Sequence, residues 1–408
     1  MPELVIRNGV VDGERRDILC RDGLVAMVEP PGSIVTTDAE VIDANGFVVV
    51  GAAAEPHAHL DKVLTADAVP NPGGDLFGAI SAWRETYGDR NEREITHRAE
   101  QVIRRSIAAG ITAIRTHVDC GPGIELRAIE ALIALRERWA PLIDIEICAL
   151  VAPQTLGEGQ GAAYARLRDA ITLGVDLVGG VPYAEASPRA ATAGLLEQAA
   201  GAGLGVDFHT DETLDPTVLS LVDLAELAID FPFPVAASHC CSLAMQDPAR
   251  QADVAAMVAD AGVHVVALPQ TNLFLQARGH AQAPVRGITA IGALRAAGAT
   301  VSAGADNVQD PFNTMGRVDP CEIASLLVTA GHVDAGDSWS LVAGAARATL
   351  GLGPAGPVVG AMADLVALRG DTLRGAVADG AAERIVIRRG AVVSRTSVDI
   401  ASNHPLLA

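Results

Sequence analysis

Short apolar segments recur along the middle of the chain, each followed by a stretch in which hydrophobic residues have helical spacing. These segments end near His59, His117, Val151, Val181, His209, His239, Leu268 and Ala303. Roughly thirty residues separate most of them, the length of a strand, a crossover helix and the next parallel strand. Eight such units predict a closed (β/α)8 barrel of the α/β class, a TIM barrel. An open doubly wound sheet is the alternative, but no Gly-x-Gly-x-x-Gly fingerprint follows an early strand.

Both ends of the chain have a different pattern, with short β-rich segments separated by turns. The predicted terminal strands are Leu4–Val11, Asp17–Cys20, Leu24–Val28, Ala363–Leu368 and Arg384–Val393. Two β-rich flanks around a different middle predict one small β-sandwich domain formed by both termini. We therefore expect a β domain from residues 1–50 and 356–408, and a catalytic barrel from residues 51–355.

The connection after the first predicted barrel strand is longer than the others. It runs from Leu64 to Asn91 and contains Pro70, Pro72 and Trp83. Long connections at the catalytic end of a barrel often act as lids. An inert surface insertion is an equal alternative.

Composition and charge limit the compartment and the partners. The six cysteines have no paired-ligand spacing, which is typical of reduced cytosolic thiols. The start lacks the features of a signal peptide, and no apolar run has membrane-spanning length. The net charge of -20 argues against nucleic acid, because phosphate binding needs clustered lysine and arginine. We therefore expect a cytoplasmic globular protein with a small-molecule partner.

Candidate chemistry begins with a His-x-His pair. The apolar segment 46–54 predicts a buried strand, and His57 and His59 stand at its end. Side chains two apart on a strand point to the same side, so the two imidazoles would lie close together. The pair alone is a weak motif, because such short patterns often occur by chance.

Further polar residues at strand ends strengthen the metal hypothesis. His209 offers a third imidazole and Asp306 a carboxylate, a donor set suited to zinc or iron(II) with a position left for water. Glu212 is placed to protonate a substrate, and His239 to hold or deprotonate the attacking water. For His117 we expect only a local hydrogen bond.

Lysine usage limits the metal centre. Lys62 is the only lysine in the chain, and none stands near residues 177–181, where a bridging carboxylated lysine would have to lie. A lysine-bridged two-metal centre is therefore excluded, and we expect one metal.

These residues resemble the amidohydrolase superfamily, and within it the cytosine deaminase branch. The resemblance covers most of the chain and is carried by segments 55–61, 115–119, 153–154, 209–212, 238–239, 275–278, 286–289 and 306–312. It implies one iron or zinc ion on His57, His59, His209 and Asp306. It implies that Glu212 carries a proton to a ring nitrogen while His239 and Asp306 activate water. It also implies that Gln154 reads the carbonyl and ring NH of the substrate and that Phe312 lines the pocket.

One departure bears on the substrate. Cytosine deaminases have a second aspartate after the metal aspartate, where this chain has Asn307. We therefore expect deamination of a cytosine-like pyrimidine or related small heterocycle, with Asn307 contacting the substrate. The alternatives are hydrolysis of an N-alkylamino triazine or a cyclic amide, and a barrel that has lost catalysis and only binds. The resemblance also implies a homo-oligomer.

Overall fold

The computed structural model describes residues 3–151, 160–280 and 282–401. The described chain forms two compact units. One contains residues 3–52, 107–110 and 353–401, and the other contains the remaining described residues. Among the described residues, no helix combines the length and the apolar character needed to cross a bilayer.

The first unit is built on a mixed sheet of eight strands. These are β1 (Leu4–Val11), β2 (Glu14–Arg21), β3 (Leu24–Glu29), β4 (Glu40–Asp43), β5 (Phe47–Gly51), β14 (Leu365–Arg369), β15 (Arg384–Arg388) and β16 (Ala391–Thr396). Their order is β16-β15-β14-β5-β1-β2-β3, and β4 also pairs with β1. The predicted β domain formed by strands from both termini is confirmed, and its described strands pair in one sheet.

The second unit is built on eight parallel strands that pair in chain order. They are β6 (Ala53–Ala58), β7 (Ile111–Asp119), β8 (Asp144–Val151), β9 (Leu177–Gly180), β10 (Gly205–Thr210), β11 (Val235–His239), β12 (His264–Ala267) and β13 (Val301–Ala303). A parallel bridge between Ala58 and Asp306 brings the last strand back to the first. The predicted (β/α)8 barrel is confirmed.

Helices separate most of the barrel strands. The described α-helices are α1 (Leu76–Glu85), α2 (Glu92–Ala109), α3 (Arg127–Trp139), α4 (Gln160–Leu173), α5 (Pro188–Ala202), α6 (Ser220–Ala228), α7 (Pro248–Asp260), α8 (Pro269–Leu275), α9 (Ile291–Ala296), α10 (Pro320–Thr329), α11 (Ser338–Val342), α12 (Gly344–Thr349) and α13 (Leu373–Ala378). Single 3₁₀ turns occur at Tyr87–Asp89 and Pro182–Ala184, and a longer one at Cys241–Met245.

Local sequence explains how these helices form and pack. In α3 the buried residues recur with helical spacing, at Ala128, Ile129, Leu132 and Leu135, so one face is apolar along its length. Helix α7 has Pro at its first position, and the side chain of Asp247 accepts hydrogen bonds from the first free backbone N–H groups. Strand β7 is buried at all its positions, as expected inside a barrel covered by helices.

Two predicted strands are divided in the structure. The single strand predicted for residues 46–54 is β5 and the start of β6, which belong to different sheets. The predicted strand Arg384–Val393 is the hairpin β15–β16, because Arg389 and Gly390 have φ angles of 48° and 77° that reverse the chain. Continuous hydrophobicity does not reveal where a chain changes its pairing partner.

Candidate active site

Five histidines and one aspartate meet at the carboxyl ends of the barrel strands. His57 lies in β6, His117 in β7, His209 in β10 and His239 in β11, while His59 directly follows β6 and Asp306 follows β13. The ring centroids of His57 and His209 are 4.6 Å apart, and those of His209 and His239 are 5.1 Å apart. The histidines that the sequence places at strand ends therefore lie together in one buried cluster.

Four of these residues bring possible ligand atoms close to one another. The Nε2 atoms of His59 and His209 are 3.2 Å apart. Asp306 Oδ1 is 3.3 Å from His59 Nε2 and 3.8 Å from His57 Nε2. His57, His59 and Asp306 are therefore close enough together to hold an ion, and His209 Nε2 adjoins this group through His59.

This donor set fits a divalent metal ion. Among the described residues, His57 Nε2 and both carboxylate oxygens of Asp306 have no hydrogen-bond partner, although all are buried. A buried carboxylate without a partner is costly, and a cation removes that cost. Burial and the neighbouring histidines lower the pKa of His57 and His209 well below the usual value, so both rings are neutral, as metal ligands must be.

Hydrogen bonds behind the cluster fix the orientation of His57. Its Nδ1 lies 2.8 Å from Ser238 Oγ, which in turn donates to Asp207 Oδ1 at 2.8 Å. Arg115 donates to the other carboxylate oxygen of Asp207 at 3.0 Å. Because the serine O–H donates to Asp207, the Ser238 oxygen accepts a hydrogen bond from the N–H at His57 Nδ1. The lone pair of Nε2 then faces the metal position.

Glu55 ties the two strand ends that supply His57 and Asp306. Its carboxylate accepts the backbone N–H of His57 at 3.1 Å and that of Ala305 at 2.8 Å. Burial raises the pKa of Glu55 to about 8. Gly304 allows this approach, since a Cβ there would lie 2.0 Å from a Glu55 oxygen.

His117 belongs to the cluster, which corrects the expectation of a local hydrogen bond. Its ring stacks on that of His57 with centroids 3.9 Å apart, and its Nε2 lies 3.5 Å from Asp207 Oδ2. Its contacts are therefore with side chains of two other strands, β6 and β10. With His57 and His209 it forms a second set of three nitrogens close enough to hold an ion.

Two candidate proton carriers lie beside the metal position. Burial raises the pKa of Glu212 to about 8, so its carboxyl group holds a proton at neutral pH. Burial is the main cause, and electrostatic interaction with His117 the next, of a pKa of His239 lowered to about 3, so that ring is neutral. Glu212 Oε1 is 3.6 Å from His239 Nδ1, and both residues line the pocket.

The pocket above the metal position has aromatic and aliphatic walls. Its lining includes Leu76, Ile80, Trp83, Tyr87, Tyr183 and Phe312. The first four come from the long connection predicted as a lid or an inert insertion. That connection is part of the pocket, which excludes the inert insertion, and its movement as a lid stays a prediction.

A buried ion cluster lies at the edge of the pocket. The ammonium group of Lys62 is 3.2 Å from Asp61 Oδ1 and 3.3 Å from Asp119 Oδ2. Trp83 Nε1 and the Tyr87 hydroxyl donate to the same oxygen of Asp119, at 2.8 and 2.9 Å. Sequence reasoning missed the roles of Asp119 and Tyr87. The available signals were the placement of Asp119 at the end of β7 and its position in segment 115–119.

Of the three predicted substrate-binding residues, two line the pocket. Asn307 lines the pocket beside Asp306, and its side-chain amide donates to Asp310 Oδ2 at 2.8 Å. Phe312 lines the pocket as well. Gln154 lies outside the described residues.

Fold and site together define a metal-dependent hydrolase built on a (β/α)8 barrel, and comparison with known sequences identifies the family. The profile of the Amidohydrolase family (Amidohydro_3) matches residues 82–394. The chain therefore belongs to the amidohydrolase family, as the sequence motifs predicted. Its enzyme class, a hydrolase of carbon–nitrogen bonds other than peptide bonds, is confirmed, as is the dependence of its family on metal.

Individual relatives cover nearly the whole chain. A pterin deaminase of Rhizobium rhizogenes is 32% identical over 392 residues, which are 94% of this chain and 89% of that protein. The crystal structure of 5-methylcytosine deaminase from Klebsiella pneumoniae with 5-fluorocytosine has a TM-score of 0.89 and 27% identity, covering 99% of this chain and 100% of that one. The crystal structure of an N-isopropylammelide isopropylaminohydrolase from Burkholderia multivorans has a TM-score of 0.83 and 26% identity. The match covers 97% of this chain and 99% of that one.

Proposed function

We propose that this chain is a mononuclear metal-dependent aminohydrolase that replaces the amino group of a small nitrogen heterocycle with oxygen and releases ammonia. The coarser prediction, hydrolytic deamination of a heterocycle, is confirmed by the deaminases among its relatives. The observation that carries the proposal is the convergence of three imidazole nitrogens and one carboxylate beside Glu212 at the floor of the pocket.

For the metal, we assign His57, His59, His209 and Asp306 as ligands of one zinc or iron(II) ion. Such an ion, when bound, lowers the pKa of coordinated water and so supplies a nucleophile near neutral pH. A single ion agrees with the position of the only lysine, whose ammonium group is paired with Asp61 and Asp119 away from β9. A carboxylated lysine bridge is therefore not available.

Three side chains would handle the protons of the reaction. Glu212, which holds a proton at neutral pH, would deliver it to a ring nitrogen of the substrate. Asp306 and His239 would activate the attacking water. The water oxygen would attack the amino-bearing carbon, and the proton removed from the water would pass to the amino group, which leaves as ammonia. The hydroxyl proton left on that carbon would return to Glu212 as the C=O bond forms.

The substrate ring would lie between the aromatic walls and form hydrogen bonds with amide side chains. Phe312 and Trp83 offer flat apolar surfaces for a heterocycle. Gln154 would pair with a carbonyl and a ring NH, since an amide offers both a donor and an acceptor. The amide of Asn307 donates to Asp310, so its carbonyl oxygen is the group left for a substrate donor.

The ring types in the names of the relatives share one chemical unit. In pterin, in 5-methylcytosine and in N-isopropylammelide, an amino-bearing carbon and an oxo-bearing carbon flank the same ring nitrogen. We propose that this chain acts on a ring with that unit. A fused ring of the pterin type is the first choice, because the pterin deaminase is 32% identical to this chain, against 27% and 26% for the two crystal structures described above. Asn307 in place of a second aspartate separates this pocket from that of cytosine deaminases.

A second candidate is hydrolysis of an N-alkylamino group on a triazine, with an alkylamine as the leaving group. It is favoured by the similarity to the isopropylaminohydrolase and by Leu76, Ile80 and Val181, which give the pocket an aliphatic side that suits an alkyl substituent. For either reaction we expect the protein in the cytoplasm and acting as a homo-oligomer, without nucleic acid or membrane as a partner.

A substrate screen tests these alternatives. Enzyme loaded with zinc or with iron(II) is incubated with pterin, 5-methylcytosine, cytosine, N-isopropylammelide and a cyclic amide such as creatinine. Ammonia is measured, and products are identified by mass spectrometry. We expect ammonia and the oxo product from the pterin-type ring. Isopropylamine would support the second candidate, and no product from any ring with metal-loaded enzyme would refute the proposal.

A further inference from the structure

The ring of His239 is held by a residue to which no role has been assigned. Asn272, in α8 after β12, is fully buried, and its side-chain Nδ2 lies 2.9 Å from His239 Nδ1. The other ring nitrogen, Nε2, has no hydrogen-bond partner among the described residues, and the ring lines the pocket. One nitrogen is thus occupied by protein, and the other is left for substrate or water.

The backbone of His239 is fixed as firmly as its ring. Its φ angle is 72°, in the left-handed region that residues other than glycine seldom adopt. Thr289 Oγ1 donates to its carbonyl oxygen at 2.5 Å, and the next N–H, that of Cys240, donates to the carbonyl of Thr210 at 2.8 Å. A ring carried on such a constrained backbone needs only one further contact to define its direction.

We infer that Asn272 is a positioning residue that fixes the tautomer of His239, so that Nε2 carries the proton and faces the reacting groups as a donor. The NH₂ group of an asparagine can only donate, so the nitrogen it contacts must offer a lone pair. In a neutral imidazole the proton then lies on the other nitrogen.

This assignment decides between the two roles considered for His239. A ring whose Nε2 already carries a proton cannot remove one from water. It can donate a hydrogen bond to the water oxygen and to the oxygen that becomes bonded to the ring carbon. The proton released by the water must then pass to a carboxylate oxygen, that of Asp306.

The inference rests on the proposed function and is tested with kinetics first. Asn272→Asp replaces the NH₂ donor by an acceptor of the same size, and Asn272→Leu removes hydrogen bonding altogether. We expect kcat to fall about 10- to 100-fold in both, the usual effect of residues that orient active-site groups. KM and metal content should stay within twofold of wild type. Unchanged kcat in both variants would overturn the inference.

A matched control is available in the same helix. Gln270→Glu makes the same amide-to-acid change, and the Gln270 side chain contacts the backbone N–H of Arg317. Its carboxylate can still accept that hydrogen bond, so we expect wild-type kcat. A loss equal to that of Asn272→Asp would show that any buried charge in α8 impairs the enzyme and would overturn the assignment.

An activity-independent measurement separates this inference from the proposed function. In zinc-loaded protein labelled with ¹⁵N-histidine, the nitrogen shifts report which ring nitrogen carries the proton. We expect His239, assigned by its loss in His239→Gln, to carry it on Nε2 in wild type and on Nδ1 in Asn272→Asp. A proton on Nδ1 in wild type would overturn the inference. Failure of the wild type to act on any ring would refute the proposed function and leave the tautomer result standing.

Discussion

Replacement of Lys62 by methionine tests whether the ion cluster beside the pocket stabilises the barrel. Methionine keeps an unbranched side chain of similar length but removes the ammonium group. The carboxylates of Asp61 and Asp119, 1% and 6% exposed, would then share a buried site without a cation. Breaking a buried ion pair by removing one partner costs about 3–5 kcal/mol, because the remaining charge stays desolvated. We expect a loss of that size in the free energy of unfolding.

The assay is urea unfolding of metal-loaded protein, followed by circular dichroism, with the slope of each transition fitted separately. Arg189→Met is the matched control. Arg189 also contacts two carboxylates, Asp223 and Glu226, both at 2.7 Å, but Arg189 and Glu226 are exposed and Asp223 is only half-buried. Solvent-exposed pairs contribute little to stability, so the control should unfold at the wild-type urea concentration.

A second substitution shows whether Lys62→Met loses stability through the unpaired buried carboxylates or through poorer packing. Asp119→Asn added to Lys62→Met removes one of the two unpaired carboxylates. The asparagine carbonyl can still accept hydrogen bonds from Trp83 and Tyr87. The double variant should therefore recover part of the lost stability. If Lys62→Met were no less stable than Arg189→Met, or if the double variant lost still more, the reasoning about buried charge would be wrong.

Four further predictions concern the metal and the pocket. Glu212→Gln should retain the metal, measured by elemental analysis, but lose turnover about 10²–10⁴-fold. In the wild type, activity should fall as the pH rises through about 8, where the raised pKa of Glu212 means that its proton is lost; an unchanged rate at pH 10 would contradict this. Ser238→Ala, which frees His57 Nδ1, should weaken metal affinity about 10–100-fold in a chelator competition, and undiminished affinity would rule out the orienting role. Asn307→Asp should shift preference toward cytosine in the substrate screen. An unaltered profile would show that Asn307 does not separate this pocket from that of cytosine deaminases.

Much of the barrel and of the metal position could be predicted because both depend on local patterns. The apolar segments predicted to end near Val151 and Ala303 end at those residues in the structure. His57, His59 and His209 could be grouped because parallel strands present their carboxyl ends on one side of a barrel.

The remaining features depend on pairing and packing between distant segments. Nothing in the apolar run 46–54 shows that β5 and β6 join different sheets, because hydrophobicity records burial and not the partner. The stacking of His117 on His57 and the contact of Asn272 with His239 depend on side-chain directions that a single sequence does not encode. Asp119 has an ordinary strand-end position, and its importance follows only from the lysine, tryptophan and tyrosine around it.

The position of Lys62 has a practical consequence for experiments on this protein. Because the only lysine is 2% exposed and ion-paired, every cationic side chain on the described surface is an arginine or a histidine. Amine-directed cross-linkers, biotinylation reagents and lysine-modifying enzymes find no side-chain target there. Mapping of an assembly by chemical cross-linking must therefore use the abundant carboxylates, and attachment to a surface requires an engineered lysine or cysteine. Such an introduced lysine would be the one exposed side-chain target for amine-directed reagents.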